Sequence, residues 1–270
     1  EVSLGVVPAP WIISGAADFD RDGNPDVLWT NTATGERMIW LMQGALHTGS
    51  ATMGGVAANL TISAVGDYNA DGWPDLFMTN RVTNERMVWL MNGATHVGTV
   101  SLGVVGSEWV LNQSGLQPIR LPQGDFNNDG QVDLLWENAL SGERAVWFMD
   151  GGSYASSESL GSVAVEWHIV GSADFDADGH PDLLWENTST GEHGVWFMTG
   201  TSNIAWKSLG AVPPDWRIAV VADFNGDNSP DLIWENASTG ERCIWLMSGT
   251  TYVMSMHLGI IAKEWRIVGS

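Results

Sequence analysis

An acidic nonapeptide occurs five times along the chain, and its regular spacing constrains the fold more than any other feature of the sequence. One copy reads D-x-D-x-D-G-x-x-D from Asp174 to Asp182. The five copies begin at Asp18, Asp67, Asp125, Asp174 and Asp223, with three spacings of 49 residues and one of 58. Copies that recur at this regular spacing indicate a repeat architecture, in which each unit packs against its neighbours.

Oxygen-bearing side chains stand at positions 1, 3, 5 and 9 of every copy. Ca²⁺ prefers six to eight oxygen ligands, and a glycine at position 6 lets a loop turn back on the ion. The candidate side-chain ligands are Asp18, Asp20, Asp22, Asp26, Asp67, Asn69, Asp71, Asp75, Asp125, Asn127, Asp129, Asp133, Asp174, Asp176, Asp178, Asp182, Asp223, Asn225, Asp227 and Asp231. The candidate carbonyl ligands at position 7 belong to Asn24, Trp73, Gln131, His180 and Ser229. We therefore predict up to five Ca²⁺ sites, because solvated acidic turns would explain the polarity of the loops but not their spacing.

These loops differ from EF-hands in two ways. An EF-hand has a glutamate at position 12 and a helix on each side of the loop. Here position 12 is a tryptophan or methionine, and a strand-like apolar segment follows each loop. The fifth copy has Asn228 in place of the loop glycine, so we expect this copy to bind calcium most weakly.

The charge of the chain is concentrated in the same loops. The net charge is −21, and seventeen of the 32 acidic residues are aspartates at the ligand positions. Five bound Ca²⁺ ions would bring the charge to about −11, so metal binding and folding are expected to be coupled. This acidity argues against a nucleic-acid partner, whose phosphates require Lys and Arg.

Composition also bounds the size and location of the protein. A chain of 270 residues with 16 Trp and 44% hydrophobic residues can form one large domain, which we place at 1–270. No apolar run of about 18 residues predicts a membrane span. Cys243 is the single cysteine, so stabilisation by metal replaces a disulfide framework, and we predict a secreted or cell-surface protein. The first residues do not form a signal peptide, which indicates that a leader was removed or that the chain is a fragment.

Four short apolar segments in each unit predict four β-strands. The connection from Asn187 to Glu192 predicts a hairpin with Gly191 at positive φ, and Asn84 stands at the same place in the second repeat. A four-stranded meander cannot bury both faces alone, whereas several packed radially can. We predict an all-β, five-bladed propeller with repeats at about 11–59, 60–108, 109–166, 167–215 and 216–264.

Both ends of the chain repeat the same strand sequence. Leu4-Gly precedes Trp11 as Leu258-Gly precedes Trp265, which gives surplus strands at 1–10 and 265–270. These strands would close the ring or reach a neighbouring chain, or else the chain is part of a longer array.

The repeats resemble FG-GAP or VCBS-type repeats, the calcium-binding propeller blades that also occur in integrin α heads and in some secreted lectins. The matching residues are the D-x-[DN]-x-D-G-x-[PV]-D-[LV] loops and the strand before each, such as Ile169-Val-Gly-Ser-Ala-Asp-Phe. The resemblance covers nearly the whole chain. It implies that each acidic loop joins the first and second strands of a blade, and it is specific for fold and calcium rather than for activity.

Two series of tryptophans suggest different roles. Trp40, Trp89, Trp147, Trp196 and Trp245 recur with Met42, Met91, Met149, Met198 and Met247, which favours core packing between blades. Trp11, Trp109, Trp167 and Trp216 stand where a first strand begins and are candidate platforms for stacking sugars, with Leu60 in their place in the second repeat.

Polar residues around the hairpins form a further candidate ligand site. They are Glu137, Asn138, Glu186, Asn187, Glu235 and Asn236, near Arg37, Arg86, Arg144 and Arg242. They would either cap hairpins and pair with arginines or bind glycan hydroxyls in pockets between blades. The third repeat is nine residues longer between Trp109 and Asp125, which predicts a longer loop between the fourth and first strands on this face.

Enzyme motifs are missing from the sequence, since the six His form no H-E-x-x-H pattern and no G-x-S-x-G elbow occurs. We therefore expect a non-enzymatic binding protein. The first hypothesis is a secreted, calcium-stabilised propeller that binds carbohydrate multivalently. The alternative is a structural or adhesive protein that assembles with other chains, as a fibre for example, through blade surfaces or spare end strands. A third hypothesis is an accessory domain of an enzyme. The expected partners are glycans or cell-surface proteins.

Overall fold

The structure is a computed structural model that describes residues 9–111 and 123–260. These residues form antiparallel β-sheets and contain no helix, so none of them could cross a membrane as a long apolar helix. Surplus end strands were predicted at 1–10 and 265–270; residues 1–8 and 265–270 lie outside the described ranges, and residues 9 and 10 form a turn.

Five sheets follow one another along the chain, each with its strands in sequence order. The first contains β1 (Trp11–Ala17), β2 (Asp26–Asn31), β3 (Glu36–Gln43) and β4 (Leu46–Gly55), and the second contains β5 (Leu60–Gly66), β6 (Asp75–Asn80), β7 (Glu85–Asn92) and β8 (Thr95–Val104). The third contains β9 (Trp109–Leu111), β10 (Gln123–Gly124), β11 (Asp133–Asn138), β12 (Glu143–Asp150) and β13 (Ser153–Ser162). The fourth contains β14 (Trp167–Ala173), β15 (Asp182–Asn187), β16 (Glu192–Thr199) and β17 (Ser202–Ala211), and the fifth contains β18 (Trp216–Ala222), β19 (Asp231–Asn236), β20 (Glu241–Ser248) and β21 (Thr251–Ile260).

These sheets are the five four-stranded blades of a β-propeller, as the repeat predicted. Each acidic loop joins the first and second strands of its blade, for instance between β1 and β2. The hairpin prediction is also confirmed, because Gly191 has a φ of 71° and Asn84 has a φ of 58°. A Cβ at Gly191 would lie 2.0 Å from the carbonyl oxygen of Val212, so this turn requires glycine for space as well as for backbone conformation.

The third blade corrects one expectation from the sequence. The first strand of this blade is divided into β9 and β10, which both pair with β11. The extra residues therefore interrupt the first strand instead of lengthening the loop before it. The break between β9 and β10 falls at the place of the bulge between Ile13 and Gly15 in the first blade.

The chain divides into two compact units. One contains Glu1–Ser107 with Met149–Ala155, and the other contains Glu108–Phe148 with Ser156–Ser270. In the first unit, a cluster that includes Phe19, Leu28 and Leu76 is buried between neighbouring blades. In the second unit, two such clusters form around Trp185 and around Trp234.

Blades in each unit meet closely at their first strands. A Cβ at Gly15 would lie 2.6 Å from Cγ2 of Val65, and a Cβ at Gly171 would lie at the same distance from Cγ2 of Val221. Glycine at these positions lets the neighbouring first strand approach, and the close-packed contact excludes water from the clusters.

Candidate functional site

The backbone of the acidic loops bends sharply at two positions. Position 4 has positive φ in every copy, from 55° at Ala70 to 77° at Gly226. Position 6 has positive φ as well, at Gly23, Gly72, Gly130 and Gly179 and, in the fifth copy, at Asn228 with 64°. The fifth loop thus has its glycine at position 4 and an asparagine at position 6, and asparagine is the non-glycine residue that best tolerates this conformation.

Hydrogen bonds fix the side chains of each loop. In the first loop, Asp18 accepts from the N–H of Asp22 at 3.1 Å and from that of Gly23 at 2.9 Å. Asp20 also accepts from the N–H of Asp22, at 3.2 Å, and Asp22 accepts from that of Asn24 at 2.7 Å. The carboxylates of positions 1, 3 and 5 are thereby held together on the inside of the turn.

The position-9 aspartates are fully buried and connect each loop to the third strand of its blade. Asp26, Asp75, Asp182 and Asp231 accept from the N–H of Met42, Met91, Met198 and Met247, each at 2.8 Å. The second oxygen of each accepts from the residue at loop position 2, as Asp26 does from Phe19 at 2.9 Å. Burial raises the pKa of Asp26, and it raises the pKa of Asp75 and of Asp182 to about 6.

Two of the loops bring three carboxylates within reach of a single ion. One oxygen from each of Asp18, Asp20 and Asp22 lies within 4.8 Å of the others, and so do oxygens of Asp174, Asp176 and Asp182. A set made only of oxygen donors suits a hard cation such as Ca²⁺. The donors of these two loops therefore fit the metal that the sequence predicted, and these residues would hold it.

The other three loops have asparagine at position 3. In each of them the asparagine amide donates to the position-5 carboxylate, as Asn69 does to Asp71 at 2.9 Å and Asn127 does to Asp129 at 2.8 Å. The same contact joins Asn225 and Asp227 at 2.9 Å. An ion in these loops would require the amide to present its oxygen instead, so we expect weaker binding than in the two all-aspartate loops.

Arg21 connects the first two acidic loops. Its guanidinium donates to the backbone oxygens of Asp71 and Gly72 and stacks over the ring of Trp73, 3.9 Å from the centroid. Trp73, a predicted carbonyl ligand at position 7, therefore also has a packing role that the sequence did not suggest.

The polar residues around the hairpins have structural contacts. Asn138, Asn187 and Asn236 each accept from two backbone N–H groups of their own turn at 2.9–3.0 Å. Glu137 lies 3.1 Å from Arg144 and accepts from the N–H of Ile169 in the next blade. Glu186 lies 3.6 Å from His193, and Glu235 lies 2.6 Å from Arg242. These groups are buried, which favours the capping and pairing interpretation over direct contact with a glycan.

The first-strand tryptophans are half-buried. Trp11, Trp109, Trp167 and Trp216 each begin the first strand of their blade, as the sequence predicted, and Leu60 takes this place in the second blade. Trp167 and Trp216 also pack against the core clusters. The fully buried tryptophans are instead Trp136, Trp185 and Trp234 of the second strands.

A cavity of about 230 Å³ opens beside Trp167 in the fourth blade. It is lined by Val163, Trp167, Trp185, Trp196 and Trp206. Trp206 is 41% exposed and meets Trp167 edge to face, with ring centroids 5.4 Å apart and planes at 89°. The two indoles thus form two perpendicular sides of the cavity, which we call the aromatic pocket.

The aromatic pocket depends on two departures from the repeat that sequence reasoning overlooked. Trp206 occupies the place of Ser50, Thr99, Ser157 and Ser255 in the other blades. Gly194 occupies the place of Met38, Met87, Ala145 and Cys243, and a Cβ there would lie 2.3 Å from the Trp206 ring. An alignment of the five repeats contains this signal, because it shows a large residue, Trp206, together with a glycine, Gly194, at positions that differ in the other blades.

Comparisons with known proteins agree with this architecture. The family profile described as FG-GAP-like repeat matches residues 18–78, 67–136, 125–185 and 174–234. No curated protein matches the sequence.

Solved structures with a similar fold are distant in sequence. A Tc holotoxin pore from Photorhabdus luminescens has a TM-score of 0.58 at 15% identity over 95% of this chain, which spans 12% of that chain. Virginiamycin B lyase from Staphylococcus aureus has a TM-score of 0.52 at 10% identity, covering 95% of this chain and 87% of the lyase. An auxiliary nutrient binding protein from Bacteroides thetaiotaomicron has a TM-score of 0.50 at 9% identity over 90% of this chain and 56% of that one. At these identities the likeness shows the fold alone.

Proposed function

The chain belongs to the FG-GAP-like repeat family, and we propose that it is a calcium-stabilised propeller that binds carbohydrate, secreted or displayed at the cell surface. A propeller of this family is a binding or structural scaffold, and the ligand depends on the groups that individual blades present. The aromatic pocket is the observation that carries the proposal.

The geometry of the aromatic pocket suits a sugar ring. The apolar C–H face of a pyranose stacks on an indole face, and two indoles at right angles contact both the face and the edge of one ring. The volume of about 230 Å³ accommodates a single monosaccharide unit, with the rest of a glycan outside. Asn187, which pairs with Trp167 across β14 and β15, holds the adjacent hairpin through its side chain.

Calcium would act on the scaffold in this proposal. The acidic loops and the hairpins lie at opposite ends of the second strand of each blade, since the loops precede that strand and the hairpins follow it. Ligand binding at the aromatic pocket therefore needs calcium only insofar as the fourth blade needs it to remain folded.

The test is a glycan array in calcium buffer, followed by calorimetric titration of the best sugar against Trp206→Ser. This variant restores the serine of the first, third and fifth blades, and we expect at least a tenfold loss of affinity, about 1.4 kcal/mol. The control is Ile204→Ser, which removes another exposed apolar side chain from the same strand and should bind as the parent does. A silent array with folded protein, or equal affinities of Trp206→Ser and the parent, would refute the proposal.

A second candidate function is assembly with other protein chains, and the outer strand of the fifth blade favours it. β21 exposes Tyr252, Val253, Met254, Met256, Leu258 and Ile260, each at least 43% accessible. An apolar outer strand with both faces exposed is a typical surface for pairing with another chain. Light scattering across a concentration series tests this function, with Met254→Lys expected to keep the protein monomeric if β21 mediates association.

A further inference from the structure

Arg37 is a buried cation that has no counter-ion among the described residues. Its side chain lies on β3 and is 1% exposed. Nη2 donates to the backbone oxygen of Leu60 at 2.8 Å, and the guanidinium carbon lies 5.6 Å from the ring centroid of Trp89. Nε and Nη1 have no hydrogen-bond partner, and Arg37 takes part in none of the ion pairs within residues 9–111 and 123–260.

The charge of Arg37 persists in this environment. Burial lowers the pKa of the guanidinium to about 10, which still leaves it protonated at neutral pH. A buried charge is unfavourable unless a charge of opposite sign or several hydrogen bonds compensate it. A group that compensates the charge of Arg37 is therefore missing from the described part of the first blade.

The third and fifth blades supply that group from the chain itself. Arg144 lies 3.1 Å from Glu137 in the third blade, and Arg242 lies 2.6 Å from Glu235 in the fifth. In each pair the glutamate stands opposite the arginine across the second and third strands. In the first blade Thr30 stands opposite Arg37, so the carboxylate is replaced by a short neutral side chain.

The groups around this position are hydrogen-bond donors. Ser14 donates its hydroxyl hydrogen to Oγ1 of Thr30 at 2.8 Å, which leaves the Thr30 hydroxyl hydrogen available to another acceptor. The N–H of Ile62 corresponds to that of Ile169, which donates to Glu137 at 2.8 Å in the third blade. In the described part of the chain, no side chain accepts from Ile62.

We propose that the first blade binds a small monovalent anion, a carboxylate such as formate or a halide, between Arg37 and Thr30. The anion takes the place that the Glu137 carboxylate has in the third blade, where it meets guanidinium and backbone N–H donors. A guanidinium fork and a hydroxyl can donate to a planar carboxylate or to a spherical halide, and the depth of Arg37 limits the ligand to a few atoms. The site is independent of the carbohydrate proposal.

The experiment measures the melting temperature of the full chain in calcium buffer with sodium isethionate, a bulky anion, as the reference salt. Formate and chloride are titrated in separate arms at constant ionic strength. We expect the melting temperature to rise with the logarithm of anion concentration, by roughly 3 °C at tenfold above the dissociation constant. The arm with the larger rise identifies the preferred anion, and equal melting temperatures in all three salts would overturn the proposal.

Three variants make the test specific. Arg37→Met should abolish the response, whereas Arg81→Met, which removes an exposed arginine of the same unit, should retain it. Thr30→Glu supplies the carboxylate of the third and fifth blades, so it should melt higher than the parent in isethionate and should no longer respond to formate or chloride. A response that survives in Thr30→Glu, or an anomalous signal of bromide in crystals of the parent that avoids Arg37, would also overturn the proposal.

Discussion

The buried carboxylate of Asp182 accepts a hydrogen bond from the backbone N–H of Met198 at 2.8 Å, which ties the end of an acidic loop to the third strand of the same blade. Its other oxygen accepts from the N–H of Phe175, also at 2.8 Å. A residue chosen from the sequence as a metal ligand thus has a second role in folding, because it satisfies two buried backbone donors.

Asp182→Asn should destabilise the protein whether or not calcium is present. The amide nitrogen of asparagine cannot accept a hydrogen bond, so one buried N–H loses its partner at a cost of about 1–3 kcal/mol. Asp176→Asn is the matched control, since asparagine already stands at this exposed position in three other loops. Urea unfolding in calcium and in EDTA measures both variants. If Asp182→Asn matches the parent in EDTA, the structural role is refuted.

Removal of calcium should lower the melting temperature of the parent by many degrees. Each ion that binds only the folded chain stabilises it by about 2.7 kcal/mol at one hundred times its dissociation constant. Differential scanning calorimetry before and after EDTA measures the change, and elemental analysis counts the ions. A matched concentration of Mg²⁺ should restore less stability, because Mg²⁺ sheds its water reluctantly. An unchanged melting temperature together with no bound calcium would contradict the loop assignment.

The regular part of this fold was predictable because the same sequence pattern occurs in each of the five repeats. The hairpins, the strands and the positions of the acidic loops depend on local sequence, and even Asn84 could be assigned positive φ from its place in the repeat. Repetition removes the ambiguity that a single short apolar segment would have.

Contacts between residues distant in the sequence were not predictable in the same way. Arg21 stacks on Trp73, which lies 52 positions later in the sequence, and nothing local to either residue indicates the pair. The inserted residues of the third blade were assigned to a loop because their number shows only that the repeat is longer, whereas the pairing of Leu111 with Trp136 shows that they interrupt a strand. Side-chain packing, unlike strand order, depends on the departures from the repeat.

Asn228→Ala should destabilise the fifth blade more than Asn228→Gly does. Asn228 has a φ of 64°, a conformation that alanine adopts only at a cost of roughly 1–2 kcal/mol, whereas glycine adopts it freely. The alanine variant should therefore melt about 2–4 °C or more below the glycine variant. Thermal melts in EDTA separate this backbone effect from calcium binding. Equal melting temperatures for the two variants would show that the loop rearranges.

Arg21 and Trp73 should be energetically coupled. Stacking of the guanidinium on the indole is worth about 0.5–1 kcal/mol at an exposed site, so Arg21→Ala and Trp73→Ala together should cost less than the sum of the single variants by about this amount. A double-mutant cycle by urea unfolding in calcium measures the coupling. Additive effects would mean that the stacking contributes nothing to stability.

Gly194→Ala should be much more unfavourable while Trp206 is present. The added Cβ would lie 2.3 Å from the Trp206 ring, so the indole must leave its position in the aromatic pocket, with an overpacking cost of about 1–3 kcal/mol. In the Trp206→Ser background the same substitution should cost much less, because only the backbone oxygen of Lys207, 2.8 Å from the added Cβ, then remains too close. Urea unfolding of the four proteins measures the cycle, and near-UV circular dichroism follows the contact between Trp206 and Trp167. If Gly194→Ala is equally costly in both backgrounds, the glycine is required by the backbone and not by the tryptophan.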